Sequence, residues 1–227
     1  MATVPSVPRS ALLVGATGLV GRELLPLLLD NGRYTRVQGL VRPSSVLIKP
    51  HPKLTLRSVN FAHLPNDLDK VDDAYIALGT TIKVAGSNAA FREVDFDYVL
   101  ATARAAKAAG AHRIAVVSAL GADPTSRVFY NRVKGEMEAA VGGLGFDSVV
   151  FAQPSLLLGD RASLGQAPRS GEVWATRLLG PVMGLVPKGV RPIQARAVAQ
   201  AMVEAALTGA RGVRVLGSAD MQTASSG

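Results

Sequence analysis

Apolar positions along the chain fall into two alternating patterns. Ala11-Leu12-Leu13-Val14 is a short unbroken apolar run that stops at Gly15. A run of this length bounded by glycine predicts a buried strand. From Leu19 to Leu29 the apolar residues recur at helical spacing, and Gly32 supplies a stop. Pro26 falls inside that helix and is expected to bend it. Val37 to Val41 predicts a second strand, and the alternation from Leu54 to Val59 a third. A fourth runs from Asp73 to Leu78 and ends at Gly79. Phe91 to Ala109 predicts a long helix closed by Gly110, followed by a fifth strand from Arg113 to Ser118 with Ile114, Val116 and Val117 inward. Tyr130 to Val141 predicts a helix ending near Gly142-Gly143, and Ser148 to Phe151 a sixth strand. Ala195 to Leu207 and Val213 to Leu216 predict a late helix and a final strand.

Strands that alternate with helices pair in parallel through right-handed crossovers. The expected fold class is therefore α/β, a doubly wound parallel sheet with helices on both faces. Ligands of such a sheet bind beyond the carboxyl ends of its strands, so motifs at those ends belong to one site. A chain of 227 residues suits a single domain of this kind, residues 1–227. Its ends, 1–10 and 218–227, are expected to fray.

Composition narrows the function classes. Cysteine is absent, which excludes disulfides, thiolate metal ligands and cysteine nucleophiles. His51, His63 and His112 form no ligand spacing, so no metal site is expected. The net charge is +8, but the basic residues are scattered and aromatics make up only 5%. A stacking platform for nucleic acid is not expected from that distribution, and the charge reads as a generally basic surface. The first ten residues lack the layout of a signal peptide, and no apolar stretch is long enough for a membrane span. The expected location is cytoplasmic.

Three motifs carry chemistry. Gly15-Ala16-Thr17-Gly18-Leu19-Val20-Gly21 directly follows a strand and opens a helix. Gly15 permits the tight turn, Gly18 lets backbone approach a pyrophosphate, and Gly21 lets the helix pack on the strand. The helix N-terminus then attracts the phosphates. At the end of the second strand, where an acidic residue would accept from ribose hydroxyls, the chain has Arg42. A guanidinium there matches a 2′-phosphate, with Ser44 or Ser45 as a hydroxyl donor, and favours NADP over NAD. Third, Ser118 ends the fifth strand, and Tyr130 and Lys134 share one helix face. A phenol is a poor base at neutral pH, and a nearby ammonium stabilises its phenolate.

The glycine motif, Ser118 and Tyr130-x-x-x-Lys134 together resemble the short-chain dehydrogenase/reductase superfamily in its atypical branch. Ala77–Thr81, Val94–Leu100, Val117–Asp123 and Tyr130–Glu136 resemble more narrowly the Tat-interacting-protein oxidoreductases, an NADPH-binding group within that branch. The resemblance implies a Rossmann fold and particular roles. Gly15, Thr17, Gly18, Leu19, Val20 and Gly21 would hold the pyrophosphate and adenosine side. Arg42 would meet the 2′-phosphate, and Leu78, Gly79 and Thr80 would line the cofactor after the fourth strand. Ser118, Tyr130 and Lys134 would be the catalytic set, with Lys134 also bonding the nicotinamide ribose. Gln153-Pro154-Ser155 looks like the family's Arg-Pro-Gly segment beside the nicotinamide, with Gln and Ser substituted and the backbone contact at Pro154 retained. Residues 159–194 would form the substrate side, and a homodimer is implied. The reaction would be hydride transfer between NADP and a small carbonyl or alcohol. The alternative is a non-enzymatic NADPH-binding regulator acting through a protein partner.

Overall fold

Every residue from Ala11 to Val14 is fully buried, so the first strand has no polar face. That is the mark of a strand covered on both sides in a parallel sheet. In the computed structural model, which describes residues 8–43, 48–158 and 189–224, this strand is β1 (Arg9–Val14). It is followed by α1 (Leu19–Asp30), β2 (Tyr34–Val41), β3 (Leu54–Ser58) and β4 (Asp73–Ile76). Two short helices, α2 (Ile82–Ala85) and α3 (Asn88–Arg92), lead into a π-helical turn at Glu93–Asp97 and then α4 (Tyr98–Ala108). The remainder is β5 (Arg113–Val117), α5 (Phe129–Gly142), β6 (Ser148–Gln153), β7 (Leu157–Leu158), β8 (Ile193–Gln194), α6 (Ala195–Thr208), β9 (Gly212–Gly217) and α7 (Ser218–Ala224).

Seven strands form one parallel sheet in the order β3-β2-β1-β4-β5-β6-β9. The sequence expectation of a doubly wound sheet is met. Alternate residues of β1 feed two separate apolar layers. Ala11 and Leu13 join Leu24 and Leu28 of α1 and Val198 and Met202 of α6. Leu12 and Val14 join Val99 and Ala103 of α4 and Met137 and Val141 of α5. Each fully buried Leu or Val contributes about 1.5–3 kcal/mol, so both layers clamp the sheet.

The chain reverses its direction of winding at β1, which has β2 on one side and β4 on the other. Val14 is in register with both Leu40 and Ile76, so three strand ends come level there. A crevice at such a switch point is where doubly wound sheets take ligands.

Several expectations need correction. The long helix foreseen over Phe91–Ala109 is interrupted by the π-turn. Its reason lies in tertiary structure, since the turn holds the buried carboxylate of Asp95. Residues 9–10 and 218–224 of the ends expected to fray belong to regular elements. Arg9 and Ser10 belong to β1, where the Ser10 N–H and hydroxyl both donate to Asp72 Oδ2. Ser218–Ala224 is a helix because Met221 enters the core and the Gly217 N–H donates to Asp220 Oδ2. The pairing of β7 with β8, and α2, went unseen because both are too short to show a period. Ser44, Ser45 and residues 159–188 of the expected substrate-side segment lie outside the described residues.

Candidate cofactor and active site

The turn after β1 is shaped by three glycines, each for its own steric reason. Gly15 has φ +87°, in the left-handed region, and a Cβ there would lie 2.5 Å from the carbonyl oxygen of Ala77. The Gly18 N–H donates back to the Gly15 carbonyl at 2.9 Å. A Cβ on Gly18 would sit 3.3 Å from that same oxygen, and one on Gly21 only 1.9 Å from it. Thr17 lies within the turn, while Leu19 and Val20 open α1 and pack towards the core. No side chain caps α1 at Gly18. The first-turn N–H groups of α1 therefore face the crevice with the positive end of the helix, the arrangement that suits an anionic phosphate.

Neighbouring strand ends bring the other residues in. Arg42 follows β2 and is exposed, near enough to Tyr98 to favour its phenolate, although Glu93 beside the Tyr98 hydroxyl holds that phenol above its usual range. After β4 the Ala77 N–H donates to the Val14 carbonyl at 2.8 Å, and Leu78, Gly79 and Thr80 follow. Gly79 is exposed and leaves room for a side chain at ordinary contact distance. A Cβ there would lie 3.4 Å from Asp95 Oδ1 and 3.9 Å from Lys134 Nζ.

On α5, Lys134 is only 2% exposed, and its Nζ lies 2.8 Å from Asp95 Oδ1. Burial opposes its charge, but Asp95 foremost, then Tyr130 and Glu138, hold the ammonium above the usual lysine range. One turn earlier, Tyr130 is half-buried with its ring tilted on Phe91 at 5.2 Å. Ser118 directly follows β5 and is 4% exposed. Its N–H donates to the Ala152 carbonyl at 2.7 Å, but its Oγ has no hydrogen-bond partner among the described residues. Such a hydroxyl costs about 1–3 kcal/mol if left unpaired.

The loops after β5 and β6 are tied together, with the Leu120 N–H donating to the Pro154 carbonyl at 3.0 Å. The two substituted residues flanking Pro154 both have internal partners. The Gln153 amide donates to both Glu138 carboxylate oxygens, at 2.9 and 3.1 Å. The Ser155 N–H donates to Ser218 Oγ at 2.7 Å, and its hydroxyl donates to the Arg191 carbonyl.

Two site-building residues escaped the sequence reading. Gly135 is one, since a Cβ there would come within 2.2 Å of the Asp123–Pro124 backbone. Only a glycine lets the loop after Ser118 lie flat on α5 beside Lys134. The other is Asp95, whose signal was an acid midway between Phe91 and Val99, both buried at four-residue spacing on either side.

The crevice fits a dinucleotide in three of its parts: a left-handed glycine turn, an uncapped helix start and a Ser118 hydroxyl without a hydrogen-bond partner among the described residues. The comparisons agree with this geometry. The family described as NAD(P)H-binding matches residues 15–143. Protein fmp52, mitochondrial, of Aspergillus fumigatus is 34% identical over 86% of this chain and 86% of its own length. Protein HTATIP2 of Rattus norvegicus is 33% identical over 76% of this chain and 71% of its own. Among solved structures, the enzyme WbmH of Bordetella bronchiseptica in complex with NAD+ has a TM-score of 0.67 at 17% identity, covering 92% of this chain and 75% of its own, and so shares the fold. The cytoplasmic location expected from the sequence is overturned, because Fmp52 relatives from several fungi are named as mitochondrial proteins. The expectation had rested on the lack of a secretory signal layout, which does not bear on other compartments. By family match and by relatives, the chain belongs to the NAD(P)H-binding family that includes Fmp52 and HTATIP2 among its relatives, and its fold is the Rossmann fold of the solved neighbours.

Proposed function

We propose that this protein is an NADP-dependent oxidoreductase acting on a small carbonyl or alcohol. The observation that supports the reading is the buried Ser118 hydroxyl, without a hydrogen-bond partner among the described residues, after β5, together with Tyr130 and the charged Lys134 one turn apart on α5. In this reading the Gly15–Gly21 turn and the start of α1 hold the pyrophosphate, and Arg42 meets the 2′-phosphate. Leu78, Gly79, Thr80 and Pro154 line the nicotinamide half. The bound nicotinamide supplies or accepts the hydride. The Ser118 hydroxyl holds the substrate oxygen, and Tyr130 Oη exchanges a proton with that same oxygen. Lys134 bonds the ribose and sets its positive charge on the same helix face as Tyr130.

The test is consumption of NADPH, followed by absorbance, across a panel of aldehydes and ketones, with the wild type and Tyr130→Phe side by side. Turnover that depends on Tyr130 supports the reading. Tight NADPH binding with no turnover on a broad panel would replace it with that of a cofactor-binding regulator that works through a protein partner.

A further inference from the structure

We propose that Asp95 is a positioning residue, the resident counter-ion that keeps the buried amine of Lys134 charged and fixed in place. Asp95 is fully buried, and Lys134 nearly so. Their charged atoms stand 2.8 Å apart. The second carboxylate oxygen, Oδ2, accepts from the Thr80 N–H, also at 2.8 Å. One carboxylate therefore joins three elements: the loop after β4, the π-turn and α5. The Thr80 N–H holds Oδ2 and thereby turns Oδ1 towards the lysine.

The groups facing Lys134 leave this task to Asp95. On α5 itself they are Tyr130 and Glu138, and from the π-turn Asp95. Glu138 is already bound through both oxygens by the Gln153 amide. Asp95 is thus the carboxylate in contact with the ammonium. An amine this deeply buried favours its neutral form unless an anion stands beside it. Asp95 sits on a π-helical turn, a geometry that recurs at functional sites in otherwise regular helices. The ammonium stands in ion-pair contact with Asp95, and it carries three donors for further partners. The assignment of those donors to the ribose rests on the proposed function above; the counter-ion role does not.

The experiment is a pH titration of the Lys134 side chain by NMR in the full chain carrying 13C-labelled lysine, with Lys134→Arg identifying the signal. Asp95→Asn is expected to lower the midpoint of the Lys134 titration by about one pH unit or more. NADPH affinity, measured by fluorescence, should then fall in Asp95→Asn as pH rises through the lowered midpoint and stay level in the wild type over the same range. Asp95→Glu, which keeps the charge and displaces it, should leave the titration near that of the wild type and weaken NADPH binding several-fold. An unchanged Lys134 midpoint in Asp95→Asn would overturn the proposal. If Asp95→Asn does not fold, the double variant Asp95→Asn with Lys134→Met decides. Recovery of the fold shows that a lone buried ammonium caused the loss, and a double variant as unfolded as the single one overturns the counter-ion. A lowered midpoint that NADPH affinity does not follow upholds the counter-ion and overturns the reading of Lys134 as a cofactor ligand.

Discussion

A Cβ on Gly21 would lie 1.9 Å from the carbonyl oxygen of Gly15. The third glycine of the motif thus serves packing within the turn, and the helix rests directly on the peptide that precedes it. Gly21→Ala must push α1 off that peptide, because backbone cannot yield as a flexible side chain can. We expect a loss of about 1–3 kcal/mol in stability together with loss of NADPH binding. Gly18→Ala, with 3.3 Å available, should melt within a few degrees of the wild type. Thermal melts and fluorescence titration with NADPH read both effects. Equal melting temperatures for the two variants would contradict this account.

Arg42 stands exposed at the end of β2. If it meets a 2′-phosphate, the wild type should bind NADPH at least about tenfold tighter than NADH, since a charge-assisted bond contributes about 1.5–3 kcal/mol. Arg42→Ala should erase most of that preference while sparing NADH affinity. The two dissociation constants in each protein settle the matter.

Tyr130→Phe should lower turnover by roughly 10²–10⁴-fold, the range for one positioned acid–base group. Its NADPH affinity should barely change. Ser118→Ala should also lower turnover, and it removes an unpaired buried hydroxyl, so its stability should equal or exceed that of the wild type. A Ser118→Ala variant that is both fully active and less stable would mean the hydroxyl has a structural partner and no substrate role.

At the opposite end of the sheet, Asp73 is fully buried at the start of β4. It accepts from Arg113 Nε and, at 2.7 Å, from the Tyr34 hydroxyl, and Arg9 approaches to 3.5 Å. Asp73→Asn removes the charge and leaves Arg113 without its ion pair, a change that costs about 3–5 kcal/mol in buried pairs. Because the cofactor crevice lies at the other ends of the strands, NADPH affinity of the folded fraction should stay near that of the wild type. Chemical denaturation and titration under native conditions separate the two.

The same network predicts alkaline sensitivity. Burial first, then the neighbouring Tyr75 and Asp73, hold the Tyr34 phenol far above its usual range, and burial likewise raises Tyr75. A raised value in the folded state means the stabilising contribution is complete below the unfolded value, about 10, and is lost as pH climbs above it. Each tyrosine should cost about 1.4 kcal/mol per pH unit in that window. Urea unfolding of wild type and Tyr75→Phe between pH 9 and 11 should show the variant losing stability with the shallower slope.

Sequence alone determined the class of fold and the glycine turn after its first strand. Period and glycine position are local properties, and β1, α1 and α5 come from them directly. So does the Gly15–Gly21 turn, because left-handed backbone and close approach each demand glycine at one position. Parallel pairing of the strands followed from alternation and the handedness of crossovers, whereas their order, β3-β2-β1-β4-β5-β6-β9, is seen only in the structure. Tertiary structure decided what depends on partners distant in the chain. Asp95 and Lys134 are 39 positions apart, and no spacing rule joins a carboxylate on one helix to an amine on another. Gly135 is explained only by the Asp123–Pro124 backbone folded over it. Ser218–Ala224 reads as a polar tail until Met221 is seen in the core. In each case the decisive energy, whether ion pairing, steric fit or burial, arises only after the chain has closed on itself.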